Sequence, residues 1–252
     1  MADAPLPVID FAGARLNPLS MAETVRWIDS RLAARSFTQH AVVNVAKLVH
    51  MRRDEQLRRS VEGCDIVNID GMGVVWGARL VGHAVGERVA GIDLFHALIE
   101  LAAARGYPVY LLGATDEMVL ATRDRLVERH PALKVAGYHN GYFWDDEPAM
   151  VHEIAASGAR LLFVAITSPS KENFIDRWRD QLGVDFVMGV GGTFDVVAGK
   201  VKRAPHWMQR SGLEWLYRVI QEPRRMFYRY FSTNIIFARI LTVELWRSMS
   251  RR

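Results

Sequence analysis

The chain has 252 residues, of which 50% are hydrophobic and 24% are charged, and its formal net charge is +4. The high apolar content and small net charge exclude intrinsic disorder, and average Gly and Pro contents exclude collagen-like and low-complexity chains. The lone cysteine, Cys64, excludes an intramolecular disulfide framework and a cysteine-built zinc site, and the first residues lack the apolar core of a secretory signal.

Six short apolar segments bounded by Gly, Pro or Asp predict buried β-strands at residues 40–45, 65–69, 108–113, 133–138, 161–166 and 185–190. Amphipathic segments between them predict helices at residues 93–105, 116–129, 147–157 and 170–182. We expect Asp93, Asp116 and Ser170 to cap three of these helices. The alternation of strands and helices predicts an α/β fold, with a mainly parallel sheet covered by helices on both faces.

The character of the chain changes near residue 200. Residues 200–252 contain twelve Lys and Arg but three Asp and Glu, whereas residues 1–199 contain 20 and 25. The same segment has no strand-like pattern and many aromatic residues, which predicts helices broken near Glu222 and Pro223. We therefore predict an α/β body at residues 1–200 and a basic, aromatic-rich helical C-terminal appendage at residues 201–252.

The positive charge of the appendage favours an anionic partner, and nucleotide phosphate, a membrane surface and nucleic acid all qualify. Its uncharged stretch, residues 230–238, is far shorter than the roughly 20 apolar residues that span a membrane. The appendage could instead lie on a membrane surface with its aromatic side chains in the interface. The alternative is a helical subdomain whose aromatic side chains pack on the body.

Signatures of several enzyme classes are absent from the sequence. No Gly-rich loop ends in Gly-Lys-Ser/Thr, and the zinc motif His-Glu-x-x-His and the Gly-x-Ser-x-Gly elbow are also missing. Gly71 and Gly73 follow a predicted strand, but Trp76 stands where a dinucleotide fingerprint needs a small residue. Two alternatives stay open on these grounds: a nucleotide-cofactor oxidoreductase of Rossmann type, and a protein whose basic appendage binds nucleic acid.

Polar residues follow the first two predicted strands. Asn44 ends the first strand, and Asp70 ends the second, directly before Gly71. Ligands of open parallel sheets bind beyond the carboxyl ends of the strands, so we expect these residues to border a site. Because the glycine turn lets a ligand approach closely, Asp70 is a candidate general base; its alternative role is a helix N-cap.

Three further turns have the same character, and each joins polar residues or glycines to a predicted helix start or strand end. Any one of them could be an ordinary turn, but together they predict a binding site. Their candidate residues are Arg88, Asp93, Ser168, Glu172, Gly191, Gly192 and Asp195.

Arginines of the appendage are candidates for binding phosphate. The guanidinium group offers a rigid fork of donors that matches phosphate oxygens, and it keeps its charge at physiological pH. A solvated helix face is the alternative role. The candidates are Arg203, Arg218, Arg224 and Arg225.

Six motifs run in order along most of the chain and are highly specific as a set. They are NIDGMGVVW at residues 68–76, RVAGID at 88–93, VYLLGA at 109–114, GYHNGYF at 137–143, VGGTFDVVAGKVKRAP at 190–205 and GLEWLYRVIQEPRR at 212–225. In these motifs the sequence resembles the WecG/TagA/CpsF family of bacterial glycosyltransferases, glycosyltransferase family 26.

The resemblance implies a Rossmann-like α/β fold and a defined activity. Members of the family transfer a sugar from a UDP-sugar to a lipid-linked sugar diphosphate, usually on undecaprenol, during surface-polysaccharide biosynthesis, with inversion and without metal or other cofactor. Asp70 falls on the family's proposed catalytic base, and Asn44 and Arg88 fall on polar positions of its active site. The C-terminal arginines fall on an appendage thought to close over the nucleotide diphosphate and to help membrane docking.

The same resemblance implies particular partners and a location. We expect no nucleic-acid partner, a cytoplasmic protein attached peripherally to the inner face of the plasma membrane, and an oligomeric state that the sequence leaves open. One motif departs from the family, since Lys171 replaces a Gln that is common there. The donor sugar is therefore not assigned, and a cationic side chain at this position would suit a uronate or a different hydroxyl pattern.

Overall fold

The computed structural model describes residues 5–250, apart from the side chains of Arg225, Met226 and Arg229. Strands β1 (Ile9–Phe11) and β2 (Ala14–Leu16) form a small antiparallel hairpin. The central sheet contains β3 (Thr38–Val43), β4 (Ile66–Ile69), β5 (Val109–Gly113), β6 (Val135–His139), β7 (Leu161–Ala165) and β8 (Phe186–Gly189). Its strand order is β4-β3-β8-β7-β5-β6, and every pairing within it is parallel.

Twelve α-helices are formed by the described residues. The first six are α1 (Met21–Ala33), α2 (Val45–Met51), α3 (Glu55–Glu62), α4 (Met72–Leu80), α5 (Gly91–Arg105) and α6 (Asp116–Arg129). The other six are α7 (Glu147–Ala156), α8 (Ser170–Trp178), α9 (Thr193–Val197), α10 (His206–Arg210), α11 (Glu214–Gln221) and α12 (Pro223–Met249). A short 3₁₀ helix, Trp144–Asp146, precedes α7.

Strand β5 shows why the sheet is covered on both faces. Val109 and Leu111 belong to the apolar cluster that includes α5 and α6. Tyr110 and Leu112 belong to the opposite cluster, which includes α7 and α8. Successive strand residues point to opposite faces, so a run of apolar residues needs cover on each side. The predicted α/β fold is confirmed, and all six predicted strands lie within about two residues of the observed bounds.

The predicted caps of three helices are wrong. The observed N-caps of α5, α6 and α8 are Ala90, Thr115 and Pro169. Asp93, Asp116 and Ser170 therefore lie inside the first helical turns. An acidic side chain one to three residues inside a helix still interacts favourably with the helix dipole. The residue type alone therefore does not distinguish the N-cap from a position in the first helical turn.

The appendage is helical and breaks where predicted. Helix α11 ends at Gln221 and α12 begins at Pro223, since proline lacks the N–H that a continuous helix would need. Phe237 of α12 is buried and packs edge-on against Phe11, with ring centroids 6.3 Å apart. It also lies over Gly77 of α4, where an added Cβ would come within 3.0 Å of its ring. Helix α12 is thus part of the core at this end of the sheet.

None of the helices within residues 5–250 is both long enough and apolar enough to cross a membrane.

Candidate active site

The carboxyl ends of β3 and β4 bring Asn44 and Asp70 together, as expected. The backbone N–H of Asp70 donates to the carbonyl of Val43 at 2.9 Å, which continues the parallel pairing to the strand ends. Gly71 has a φ of +120°, and an added Cβ there would lie 3.5 Å from the Cβ of Asn44. Glycine is favoured at this backbone conformation, which turns the chain from β4 into α4 beside Asn44.

Asn44 has a structural role as well as its place at the site. Its side-chain oxygen accepts a hydrogen bond from the backbone N–H of Lys47 at 3.0 Å, so Asn44 is the N-cap of α2. A cap of this kind satisfies a backbone donor that the helix cannot pair internally. Helix α2 is thereby fixed at the edge of the sheet, and the side chain of Lys47 extends from its first turn.

Asp70 is not a helix cap. The N-cap of α4 is Gly71, and no side chain caps that helix. The backbone N–H of Gly91, at the start of α5, instead donates to the Asp70 carboxylate. The first turn of a 15-residue helix therefore faces this carboxylate, and the partial positive charge of the helix end favours an anion there.

The surroundings of Asp70 tune its protonation. Burial raises the pKa of Asp70 above its ordinary value, the charges of Arg88 and Arg218 lower it, and the charge of Glu214 raises it. Burial outweighs the favourable charges, since taking a carboxylate out of water disfavours its ionised form. A carboxylate with a raised pKa is a stronger base once it is ionised, which suits proton abstraction.

An ion-pair chain joins the body to the appendage beside Asp70. Its members are Asp93, Arg203, Glu214 and Arg88. Arg203 donates to the two carboxylate oxygens of Asp93 at 2.5 and 2.8 Å. The Nε of Arg203 lies 3.6 Å from one oxygen of Glu214, and the other oxygen accepts from Arg88 at 3.0 Å. Burial would raise the pKa of Asp93, but the hydrogen bonds and charge of Arg203 lower it.

The predicted phosphate-binding arginines differ in their surroundings. Both terminal nitrogens of Arg203 face Asp93. Arg218 lies on α11 close enough to lower the pKa of Asp70, while Arg224 is exposed in the first turn of α12. The side chain of Arg225 lies outside the described part of the structure. The charge of Arg218 therefore reaches Asp70, although Arg218, like Arg224, is exposed.

A second charged cluster lies between α2 and α8, close to the end of β7. The ammonium group of Lys47 is 2.7 Å from Glu172 Oε1, and that of Lys171 is 2.9 Å from the same atom. The three side chains are less than 10% exposed. Burial would raise the pKa of Glu172, but the two ammonium groups hold it at about 2. The ammonium group of Lys171 is thus paired with the carboxylate of Glu172.

The turns after β7 and β8 differ in how open they are. Ser168 is exposed and precedes a cis peptide bond to Pro169. A Cβ added to Gly191 or Gly192 would meet no atom within 4 Å, so this backbone borders open space. Asp195 follows on α9, where its carboxylate lies 4.0 Å from the ammonium group of Lys200. The open glycine turn could admit a ligand to the backbone N–H groups.

Comparison with known proteins identifies the family. The model of the glycosyl transferase WecG/TagA/CpsF family matches residues 9–251. The chain belongs to this family. It is therefore a glycosyltransferase, and the two alternatives, an oxidoreductase and a nucleic-acid-binding protein, give way to this assignment.

Two curated relatives of this glycosyltransferase match over most of its length. A protein of Bacillus spizizenii strain W23 is 31% identical over 225 residues, which are 89% of this chain and 86% of the relative. A protein of Bacillus subtilis strain 168 is 32% identical over 199 residues, which are 79% of this chain and 76% of the relative. Each is named N-acetylglucosaminyldiphosphoundecaprenol N-acetyl-beta-D-mannosaminyltransferase.

Two residues of the site were missed by sequence reasoning. Glu214 is one of three acidic residues in the basic segment after residue 199, and that isolation was a signal that it balances nearby arginines. Lys47 carried a weaker signal, since a lysine on a short apolar helix is usually solvated. Its partner Glu172 lies 125 positions away in the chain, so the spacing could not reveal the pair.

Within residues 5–250, no group of three or more His, Cys, Asp or Glu side chains is arranged to hold a metal ion.

Proposed function

We propose that this glycosyltransferase moves a sugar from a UDP-sugar to a sugar linked through diphosphate to undecaprenol, in bacterial surface-polysaccharide biosynthesis. Transfer inverts the anomeric carbon and needs no metal. The observation that carries the proposal is the carboxylate of Asp70, which has a raised pKa and lies at the sheet edge among Arg88, Arg218 and the start of α5. The names of the two Bacillus relatives support an acceptor of this class.

In the proposed reaction Asp70 takes the proton of the acceptor hydroxyl. The oxygen attacks the anomeric carbon from the face opposite the diphosphate, a new carbon–oxygen bond forms, and the bond to the diphosphate breaks. UDP leaves with the bonding electron pair, and the proton stays on the carboxyl group of Asp70. General-base assistance of this kind contributes roughly 10²–10⁴-fold to rate.

The departing diphosphate needs compensation for its growing negative charge. The charges of Arg88 and Arg218 both reach the carboxylate of Asp70 and lower its pKa. The N-terminus of α5 adds the partial positive charge of a helix end. We assign these groups the role that a divalent cation has in metal-dependent transferases.

Two observations bear on the choice of donor sugar. The ammonium group of Lys171 lies 2.9 Å from Glu172 and is 9% exposed, so it is committed to that carboxylate and gives no support to a uronate donor. The relatives are named as N-acetylmannosaminyl transferases. UDP-N-acetylmannosamine is therefore the first donor to test.

The appendage also supports peripheral attachment to the inner face of the plasma membrane. Phe227, Phe231 and Trp246 of α12 are more than half exposed. Aromatic side chains next to arginines are typical of helices that lie in a membrane interface. We propose that residues 201–252 serve this role, while residues 1–200 form the catalytic body.

The deciding experiment combines a panel of UDP-sugars with a synthetic polyprenyl-diphosphate-N-acetylglucosamine acceptor. Mass spectrometry should show one added sugar and release of UDP, and NMR should show inversion of the anomeric centre. The reaction should proceed in excess EDTA. Absence of transfer with every donor would refute the proposal, and loss of activity that Mg²⁺ or Mn²⁺ restores would refute its metal-independent part.

A further inference from the structure

Glu214 is the residue through which α11 pairs with Arg88 of the body, and it also approaches Arg203 of the appendage. It is the first residue of α11, and its carboxylate accepts from Arg88 at 3.0 Å and lies 3.6 Å from Arg203. The side chains of Glu214 and Arg88 are only 15% and 14% exposed. An ion pair so well shielded from water is screened less than a surface pair, so it constrains the geometry strongly.

Helix α11 has other anchors, but they lie within the appendage: the rings of Trp215 and Tyr230 are 5.9 Å apart, and Gln221 donates to the carbonyl of Lys202 at 3.0 Å. None of its eight residues is buried, and no side chain caps its N-terminus. The preceding turn does touch the body, since an added Cβ at Gly212 would lie 2.8 Å from the Cβ of Met72. That contact helps to fix where α11 starts, and the ion pair of Glu214 with Arg88 ties the first turn of α11 to the body.

The same face delivers an arginine to the site. Glu214 and Arg218 are four residues apart, so their side chains lie next to each other on one side of α11. The charge of Arg218 lowers the pKa of Asp70, which places it within electrostatic range of that carboxylate. Because the two side chains share this side of α11, holding Glu214 against Arg88 also restrains the side of α11 that carries Arg218.

We infer that Glu214 is a positioning residue, which locks α11 over the site and so sets Arg88 and Arg218 for the diphosphate of the donor. The inference rests on the proposed function for the identity of the ligand. Arg88 and Arg203 approach the same carboxylate, and without this anion the two like charges would repel each other. A glutamine at position 214 could keep one hydrogen bond but could not attract both cations.

The locked arrangement can be tested without any substrate. Hydrogen–deuterium exchange of the ligand-free full chain should become faster at residues 214–221 in Glu214→Gln. The matched control is Glu100→Gln, which removes an exposed carboxylate from the surface of α5 and should leave that exchange unchanged. Unchanged exchange in Glu214→Gln would overturn the inference, whatever sugar the enzyme transfers.

Kinetics test the consequence for the reaction. We expect kcat/KM of Glu214→Gln to fall roughly 10- to 100-fold, as for loss of one charged hydrogen bond, with a higher KM for the UDP-sugar. Glu214→Asp should recover part of the loss. Tighter UDP binding or faster turnover in Glu214→Gln would overturn the inference, because Glu214 would then compete with the diphosphate. If wild-type chain transferred no sugar, the proposed function would fail while the exchange result still stood.

Discussion

The ammonium group of Lys47 lies 2.7 Å from a carboxylate oxygen of Glu172, and this contact joins the helix after β3 to the helix after β7. Both side chains are less than 10% exposed. The backbone N–H of Lys47 also donates to Asn44, the N-cap of the same helix. Lys47 therefore connects Asn44, at the edge of the site, to α8. The pair therefore bears on stability as well as on the shape of the site.

Lys47→Met should destabilise the protein by about 3 kcal/mol at pH 7, because it leaves Glu172 buried with one cation instead of two. The pKa of Glu172 is about 2 in the folded chain and ordinarily 4.5, so the stabilisation is complete above pH 4.5 and is lost as the pH falls toward 2. Urea unfolding at several pH values should show that the difference in free energy of unfolding between the variant and wild type becomes smaller below pH 4.5.

The control for this variant is Lys200→Met, which removes a 60% exposed lysine 4.0 Å from Asp195. Exposed pairs contribute about 0–1 kcal/mol, so its effect should be small at every pH. Equal destabilisation by the two variants would show that the buried pair has no special role.

Asp70→Asn should lower kcat roughly 10²- to 10⁴-fold and leave folding intact. The amide keeps the shape of the side chain but cannot take the proton, and α4 does not rely on this residue for its cap. Initial rates and thermal unfolding measured on the same preparation check both parts. The control is Asp180→Asn, a carboxylate that is 94% exposed. A rate near that of wild type would mean that Asp70 is not the base.

The fold was largely predictable because its signals are local. The strand that became β5 is an apolar run between Pro108 and Ala114, and such a run is stable only between two layers of helices. The errors occurred where contacts between distant residues decide the role of a side chain. Asp93, for example, binds Arg203, which is 110 residues away in the chain, instead of capping α5.

The site was predictable in part for the same reason. Asn44 and Asp70 follow parallel strands, and parallel strands place their carboxyl ends at one edge. The roles of Arg203 and Glu214 depend on how the appendage folds back, and no spacing in the sequence encodes that. The packing of Phe237 on Phe11 could not be predicted either, because an aromatic residue on a helix face does not indicate which residue it will contact.

The acid limb of kcat/KM should lie above pH 3.8, the ordinary pKa of an Asp side chain, because burial raises the pKa of Asp70 in the folded chain. The reaction needs the ionised carboxylate, so the rate should fall as the pH drops through that raised value. Rates measured from pH 4 to 8, with stability checked at each pH, would test this. A rate that stays constant down to pH 4 would contradict a raised pKa at the base.

The exposed aromatic face of α12 should bind anionic vesicles. The rings of Phe227 and Phe231 stack 5.7 Å apart and are 56% and 58% exposed. Each ring contributes roughly 1 kcal/mol or more when it leaves water, so replacing both by Ser should weaken binding about tenfold or more. Truncation is a poorer test, because it would also remove Phe237 from the core.

Vesicle cosedimentation measures this loss, and its control is Tyr142→Ser, which removes a 72% exposed aromatic ring from the body. The control should bind as wild type does, since Tyr142 lies outside the appendage. Binding should also weaken as salt is raised, because exposed arginines near a charged surface are screened over roughly 10 Å at 0.1 M salt. If the double Ser variant sedimented as wild type does, a face other than that of Phe227 and Phe231 would have to contact the membrane.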